Sequence, residues 1–531
     1  MAREFRKPMT WLHTWSGVIV GWLLFAIFVT GTSSYYRGEV TLWMQPETHK
    51  SVVSEKTFDI ALSKALQATQ SSNNVTVTLP NSRTNMIAVK AEMKNKGGEK
   101  KGNQRQKRKR IPSLYYDAST GELITPRATA GGNFLYRFHF ELYNMPRKVA
   151  HWIVGIATMS MLVAIITGII IHTRIFKDIF TFRSKDNTRG WMDAHILPGV
   201  ATLPFLIMIT YSGLLLLNSA LMPWGAKAHY GDDIRAYKQE FRALYTNGIE
   251  KPTQPQSTAT KTDLTKVQLL KVLYHKDSFA VDNIGSFNIT QKKPNSVTVE
   301  IVAKEAASIF SFKGLKESKT FDLYTHEQIN MKNPPLSKST IVNVNSAFIS
   351  LHMAHFADST LRFVFFVGGV FGIILSGTGL VLWIQKRKKK NIEKKSVGFW
   401  LVEKLNLGTM AGIFIAIGVY FIANRFISAE DILRKEYEIN AFFLAWLLSY
   451  IHAFFRDTLK AWREQLLFGS LLFLSLPVIN ASIVFDSLSE FYMRDAIFIY
   501  FDIFFVFMAI VLAFIAKIVH KKAKAKAQKC S

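Results

Sequence analysis

A single cysteine, Cys530, stands in this chain of 531 residues. That excludes a disulfide framework, a CxxC redox centre and covalent attachment of a c-type haem. No GxGxxG, no P-loop and no Ser/His/Asp arrangement is present, so a dinucleotide site, an ATP site and triad chemistry are unsupported. Acidic residues are scarce, 38 Asp and Glu against 66 Lys and Arg, for a net charge of +28. In a soluble chain that excess would point to nucleic acid. Zinc-finger spacing and a recognition-helix pattern are absent, however, so no nucleic-acid partner is expected. In a membrane protein the same excess marks cytoplasmic loops and contacts anionic lipid. The first apolar run is too long for a cleavable signal and lacks an A-x-A site, so it reads as a retained anchor.

What the chain has in abundance is apolar sequence: 49% hydrophobic residues, including 41 Phe and 11 Trp. These residues gather in long uncharged runs, the signature of membrane-spanning helices. Eight spans are expected, at about 11–35, 149–173, 195–219, 363–385, 405–424, 439–455, 465–485 and 496–518. Arg3, Arg6 and Lys7 precede the first, and Arg174, Lys177, Arg183, Lys185 and Arg189 lie between the second and third. QKRKKKNIEKK follows the fourth, RDTLKAWR the sixth, and HKKAKAKAQK ends the chain. All five basic segments fall on one face, which places both termini in the cytoplasm of a multi-pass bacterial inner-membrane protein.

Two long connections, about 37–148 and 220–360, then lie on the periplasmic side. VTVTLP and MIAVKAEM alternate in the first and SVTVEIVAK in the second, so each reads as a small α+β domain. The Gly-rich basic run at 94–110 interrupts the first domain and reads as a solvated hairpin tip, with an acidic partner or a lipid surface as the alternative. The expected layout is therefore span one (1–36), domain one (37–148), spans two and three (149–219), domain two (220–360) and span four (361–386). A basic linker (387–404), an accessory bundle of spans five to eight (405–519) and a basic tail (520–531) complete it.

The first four spans repeat as two pairs. Span one reads LHTWSGVIVG and span three AHILPGVATL, with Gly17 four residues after His13 and Gly199 four after His195. Gly31 follows His13 by 18 residues and Gly213 follows His195 by 18. Spans two and four share AIITGIII and IILSGTGLVLW, each preceded by a histidine-bearing approach, FHFELY and LHMAHF. A pseudo-two-fold axis along the membrane normal is implied.

That repeat sorts the histidines by depth. His13, His172 and His195 sit at the cytoplasmic ends of spans; His139, His151, His352 and His355 sit near the outer ends. His172 has no repeat mate, since Trp383 stands at the matching position. An imidazole in hydrocarbon is costly without a partner, and two axial imidazoles saturate haem iron, giving an electron carrier rather than an oxygen site. The pseudo-two-fold sets His13 opposite His195, and His139 or His151 opposite His352 or His355, for one haem near each face. The plain alternative is that each histidine is an interfacial residue bonded to water or headgroups. Seven at matched depths, two with identical spacing, favour ligation. His49, His229, His275, His326 and His520 read as solvated, and Asp502 within span eight as an acid that snorkels or pairs with Ser or Tyr.

LHTWSGVIVGWLLFAIFVTG, IIIHTRIFKDIFTFR, WMDAHILPGVATLPFLIMITYSGL and GLVLWIQKRKKK together resemble the PepSY-associated transmembrane helix family of iron-regulated bacterial membrane proteins. LYYDASTGELI, with Asp117, Thr120, Gly121 and Glu122, looks like the D-x-x-T-G-E turn that closes a PepSY domain. FDLYTHEQI, with Asp322, Thr325, His326 and Glu327, looks like a second copy carrying His for Gly. The resemblance covers about residues 8–390 and implies a ferric-siderophore reductase with two b-type haems. The implied iron ligands are His13, His195, His139 and His352; the electrons for such a reductase are expected to come from quinol or a cytoplasmic reductase. Relatives often carry His after LPF in span three, where this chain has Leu206. Two other functions compete with reduction: a siderophore or solute permease, and a non-catalytic sensor or assembly protein. A permease is expected to show broken helices around a midplane site, and a sensor to carry a cytoplasmic output domain.

Overall fold

The computed structural model describes residues 3–81, 84–93, 113–172, 188–231, 233, 236–237, 239–240, 265–293, 296–306, 309–310, 316–332, 339–394, 396–484 and 496–528. The basic run at 94–110 and the basic loop at 174–187 lie outside the described residues. Two compact units make up the chain. One comprises Met1–Met44, Ala128–Pro223 and Ala357–Ser531; the other comprises Gln45–Arg127 and Trp224–Phe356.

Among the described residues, eight helices of the first unit are long and apolar enough to cross a membrane: Glu4–Trp43, Arg147–Ile171, Leu203–Leu221, Ser359–Lys388, Val397–Phe426, Arg434–Phe455, Thr458–Val484 and Ala496–Lys521. The chain is a multi-pass membrane protein. Large apolar side chains such as Ile156, Phe363, Phe507 and Phe514 stay exposed on its outer faces, as helices facing lipid tails require.

Spans five and seven begin earlier than their sequence outlines, at Val397 and Thr458, and spans one, three and six differ for identifiable physical reasons. Span one continues past residue 35 through a 3-10 turn at Ser34–Tyr36 into Arg37–Trp43, because Trp43 has a partner there. Its fully buried indole lies 5.4 Å from the Phe421 ring, 5.7 Å from Phe501 and 5.3 Å from Phe505. Span three is interrupted at Thr202, dividing Thr188–Ala201, which carries His195, from Leu203–Leu221. Pro204 supplies no N–H to that turn. Thr202 N still donates to Pro198 O at 3.1 Å and Leu206 N to Thr202 O at 2.8 Å, so the chain stays helical on both sides.

Span six begins at Arg434, earlier than expected. Arg434 and Glu438 look like span-ending charges in the sequence, yet both are wholly buried. They pair one helical turn apart at 3.3 Å, and the carboxylate also accepts from the Asn424 amide and the Thr129 hydroxyl, each at 2.7 Å, and from Ala130 N at 3.3 Å. A buried ion is tolerated only when hydrogen-bonded in this way.

The second unit is built on one antiparallel sheet in the order β4-β3-β2-β1-β5-β6-β7-β8. Strands β1 (Ser72–Thr78), β2 (Ile87–Met93), β3 (Leu114–Tyr116) and β4 (Leu123–Ile124) follow a helix at Thr57–Thr69. Strands β5 (Ile284–Lys293), β6 (Ser296–Ala306), β7 (Lys316–Asp322) and β8 (Gln328–Lys332) follow one at Lys266–Leu273. The two α+β segments of the sequence thus join edge to edge, β1 pairing with β5 from Asn74↔Thr290 to Thr78↔Ser286. Alternation does the rest: Val75, Val77, Phe287, Val299 and Ile301 are buried and form one core with Leu62, Ala65, Leu269 and Leu273 of the helices.

The two turns that resemble each other in sequence also match in structure. Asp117 N donates to Glu122 O at 2.9 Å and Asp322 N to Glu327 O at 3.0 Å. Asp117 Oδ1 accepts from the Ser119 and Thr120 amides, and Asp322 Oδ1 from those of Tyr324 and Thr325. Gly121 takes φ +75°, and His326 is forced to φ +59° at the equivalent place.

Candidate functional site

Span one packs against both span two and span four, and that contact brings the first-repeat and second-repeat histidines together. The rings of His13 and His195 stand 6.2 Å apart, centre to centre, with their planes at 72°. His13 Nδ1 lies 2.9 Å from Ala164 O and 3.3 Å from the Thr167 hydroxyl. His195 Nδ1 lies 3.0 Å from Leu375 O and 3.4 Å from the Thr378 hydroxyl. A carbonyl oxygen only accepts, so each Nδ1 carries the proton and each Nε2 holds a lone pair.

The two surroundings are copies. Ala164 and Leu375 are 375 − 164 = 211 residues apart, and Thr167/Thr378 and Gly168/Gly379 share that offset. Both threonines turn their hydroxyls onto their own helix, Thr167 to Val163 O at 2.7 Å and Thr378 to Ile374 O at 2.6 Å. Both glycines lie under the imidazole: a Cβ on Gly168 would meet His13 Cε1 at 3.3 Å, and one on Gly379 would meet His195 Cε1 at 3.1 Å. The small residue is required because each ring rests against the facing backbone.

This arrangement fits a metal held from two sides. Two metal–nitrogen bonds of about 2 Å, plus roughly 1 Å from each nitrogen to its ring centre, span about 6 Å. Donating Nδ1–H to a carbonyl is also how ligating histidines are held in orientation. Among the described residues no group of three or more His, Cys, Asp or Glu side chains could hold a bare ion. Two imidazoles suit an iron whose other four positions are taken by a porphyrin. His172 caps span two and lies close enough to His13 and His195 to interact electrostatically. Leu206 is buried with Leu24, Ala157 and Met161, an apolar cluster that leaves this position no part in ligation.

The outer histidines divide between the units. His139 lies on the Gly131–Glu141 helix, which belongs to the helical unit although the sequence outline grouped it with the first loop domain. Its Nδ1 lies 2.6 Å from Tyr136 O, and a Cβ on Gly31 would meet its ring at 3.7 Å. His151 lies in the first turns of span two, with a buried Nε2 that has no hydrogen-bond partner among the described residues. The 211-residue offset makes Arg362 its mate, and Arg362 is ion-paired with Glu39. His352 ends the Thr340–Met353 helix and His355 follows the left-handed Ala354; both belong to the sheet unit.

Sequence reasoning missed two polar groups in the last four spans. One is the buried set of Asn424, Arg425, Arg434, Glu438 and Asn480, in which Arg425 stacks 3.9 Å over Trp43 and donates to Trp43 O and Asn480 Oδ1. The other is His452, whose Nε2 lies 3.0 Å from Glu464 Oε2, with Arg456 Nε and Nη2 on the same carboxylate. HAFFRDTLKAWREQ held the signal for this second group, an imidazole and a carboxylate on either side of a short basic turn.

A protein of Pseudomonas aeruginosa, itself uncharacterized, is 21% identical over 334 residues, 59% of this chain and 77% of that relative. The family model for the PepSY-associated TM region matches residues 10–386, which hold nearly all of the first four spans, the sheet unit and every histidine named above except His452 and His520. This chain belongs to the family of the PepSY-associated TM region.

Proposed function

We propose that this chain is a haem b oxidoreductase of the bacterial inner membrane that passes electrons to a ferric siderophore or similar ferric chelate in the periplasm. The observation that carries this reading is the His13–His195 pair: 6.2 Å between rings, both Nδ1 atoms against backbone carbonyls, in duplicated surroundings. Haem bound there supplies reversible one-electron transfer. His13 and His195 would hold the haem iron between them, and the chemistry it would supply is electron transfer rather than oxygen binding. The carbonyls of Ala164 and Leu375 fix the ring orientations and raise the basicity of each Nε2. Gly168 and Gly379 keep that space clear.

His139 and His151, both in the helical unit, are the candidates for a second haem near the outer face. The basic segments orient the protein with both termini in the cytoplasm and the sheet unit in the periplasm, where a ferric chelate arrives. Reduction to Fe(II) weakens binding by hard oxygen donors and frees the metal.

The test is a visible spectrum of purified protein together with a reduction assay. The expected result is a pair of sharp α and β bands on adding dithionite. In proteoliposomes carrying a reductant inside, Fe(II) should form from an external ferric siderophore. A colourless protein from haem-replete cells, with normal thermal stability, would overturn the reading.

A further inference from the structure

Spans five, six and seven enclose a groove of about 470 Å³, within the range of small-molecule sites. Its walls are apolar, formed by Ile415, Leu444, Leu448 and Phe468, and one end carries His452, Glu464 and Gln465. From Ala441 to His452 it follows span six for 11 residues, about 16 Å of helix. The outer rims of Leu444, Leu448 and Phe468 are about half exposed, so a molecule dissolved in the bilayer can enter from the side.

The polar end is assembled for hydrogen bonding and proton uptake. Gln465 Nε2 donates to Ser449 O at 2.6 Å and approaches His452 Nδ1 at 3.3 Å. His452 Nδ1 is then the acceptor, and Nε2–H donates to Glu464. Gln465 is 4% exposed, and its Oε1 has no hydrogen-bond partner among the described residues. Here an unsatisfied acceptor lies beside a carboxylate and an imidazole at the end of an apolar channel.

That combination selects among lipophilic ligands. A phospholipid phosphate would meet the Glu464 carboxylate, and Arg456 beside it is already bidentate on Glu464. A head with hydroxyl donors on a long apolar tail matches both ends. We propose that this groove binds a lipid-soluble quinol, with its tail along Leu444 and Leu448 and its hydroxyls at His452, Glu464 and Gln465.

The site lies at the same end of the bundle as the paired histidines. Lys404 donates to Arg456 O at 2.5 Å. Two residues further on, Asn406 accepts from Trp22 Nε1 at 2.8 Å and donates to Leu380 O at 3.3 Å. Trp22 shares a helix with His13, and Leu380 follows the glycine beneath His195. Oxidation of a quinol breaks two O–H bonds and releases two protons and two electrons. The two protons go to solvent at this polar end, where Glu464 and Arg456 are partly exposed. The oxidant would be haem iron held by His13 and His195, which would accept the electrons one at a time. Only that destination rests on the haem reading; quinol binding does not.

The experiment uses full-length protein in detergent and a photoreactive azidoquinone with a short prenyl tail. Labelled peptides should fall within residues 441–468, and a natural quinone should compete. Leu448→Trp, which fills the groove, and Glu464→Gln should each weaken quinone affinity by about tenfold or more, with unchanged thermal midpoints. Labelling elsewhere, competition by phospholipid instead of quinone, or wild-type affinity in both variants would overturn the site. Because binding is read on protein with or without haem, failure here is distinguishable from loss of the haem bands.

Discussion

Tyr420 of span five donates its hydroxyl to the carbonyl of Gly131 at 2.9 Å, fastening the first turn of the helix that carries His139. Glu438 of span six takes the next bonds, from Thr129 Oγ1 at 2.7 Å and Ala130 N at 3.3 Å. Phe134 and Phe138 then pack their rings on Phe442 and Phe443 within 6 Å. The accessory spans therefore hold the His139 helix as well as shielding apolar surface. Glu438→Ala leaves Arg434 buried without its counter-ion and should cost about 3–5 kcal/mol, read as a lowered unfolding midpoint in detergent. Tyr420→Phe removes one hydrogen bond and should cost about 1 kcal/mol. Equal, small effects from both would contradict the network.

The glycines beneath the paired rings make a second prediction. Gly379→Ala sets a methyl 3.1 Å from His195 Cε1, and Gly168→Ala one 3.3 Å from His13 Cε1, both tighter than ordinary contact. Each variant should tilt its imidazole and lose about 1–3 kcal/mol through overpacking. In haem-loaded protein both should shift the reduction midpoint in the same direction, because the surroundings are duplicated. Gly17→Ala, where nothing lies within 4 Å, should leave the potential unchanged and stabilise its helix by about 0.5–1 kcal/mol.

In the sheet unit, Asp117 predicts a pH dependence. Its burial opposes ionisation, but the Ser119 hydroxyl and the Ser119 and Thr120 amides outweigh that and hold the carboxyl below its ordinary value. A folded value below the unfolded one adds stability above about pH 4, and that stability is lost as pH falls through the folded value. Asp117→Asn should weaken the β3–β4 turn by about 1–3 kcal/mol at neutral pH, seen as faster amide hydrogen exchange there. The difference should shrink in acid; one that grew would contradict the assignment.

His326 predicts a gain rather than a loss. It sits at φ +59° where the equivalent Gly121 sits at +75°, and a side chain in that region costs about 1–2 kcal/mol. Its buried Nε2 has no hydrogen-bond partner among the described residues. His326→Gly should therefore slow exchange in the β7–β8 turn by about 1 kcal/mol. Faster exchange would show that the imidazole contributes something the turn needs.

Much of this arrangement was legible in the sequence because the signals were periodic. Long apolar runs gave eight spans, alternation gave β1, β2 and β6, and the spacing of His13 and His195 from their glycines gave a repeat whose rings do meet. What escaped depended on partners far along the chain. Arg434 and Glu438 read as span ends because their partners, Asn424 and Thr129, are recognisable only once spans five and six pack. The edge pairing of β1 with β5 joins strands about 210 residues apart, and nothing local in either strand specifies it. His452 was passed over because spans five to eight lack the repeat that made the other histidines visible, and because Glu464 meets it only across a turn.

The central claim is that His13 and His195 grip one iron porphyrin, and electron paramagnetic resonance of the oxidised, haem-loaded protein tests it most directly. Rings at 72° predict a highly anisotropic low-spin ferric signal, as expected for two imidazoles set nearly perpendicular. That signal should vanish in both His13→Ala and His195→Ala and persist in His139→Ala. A spectrum left unchanged by the first two substitutions would contradict the account.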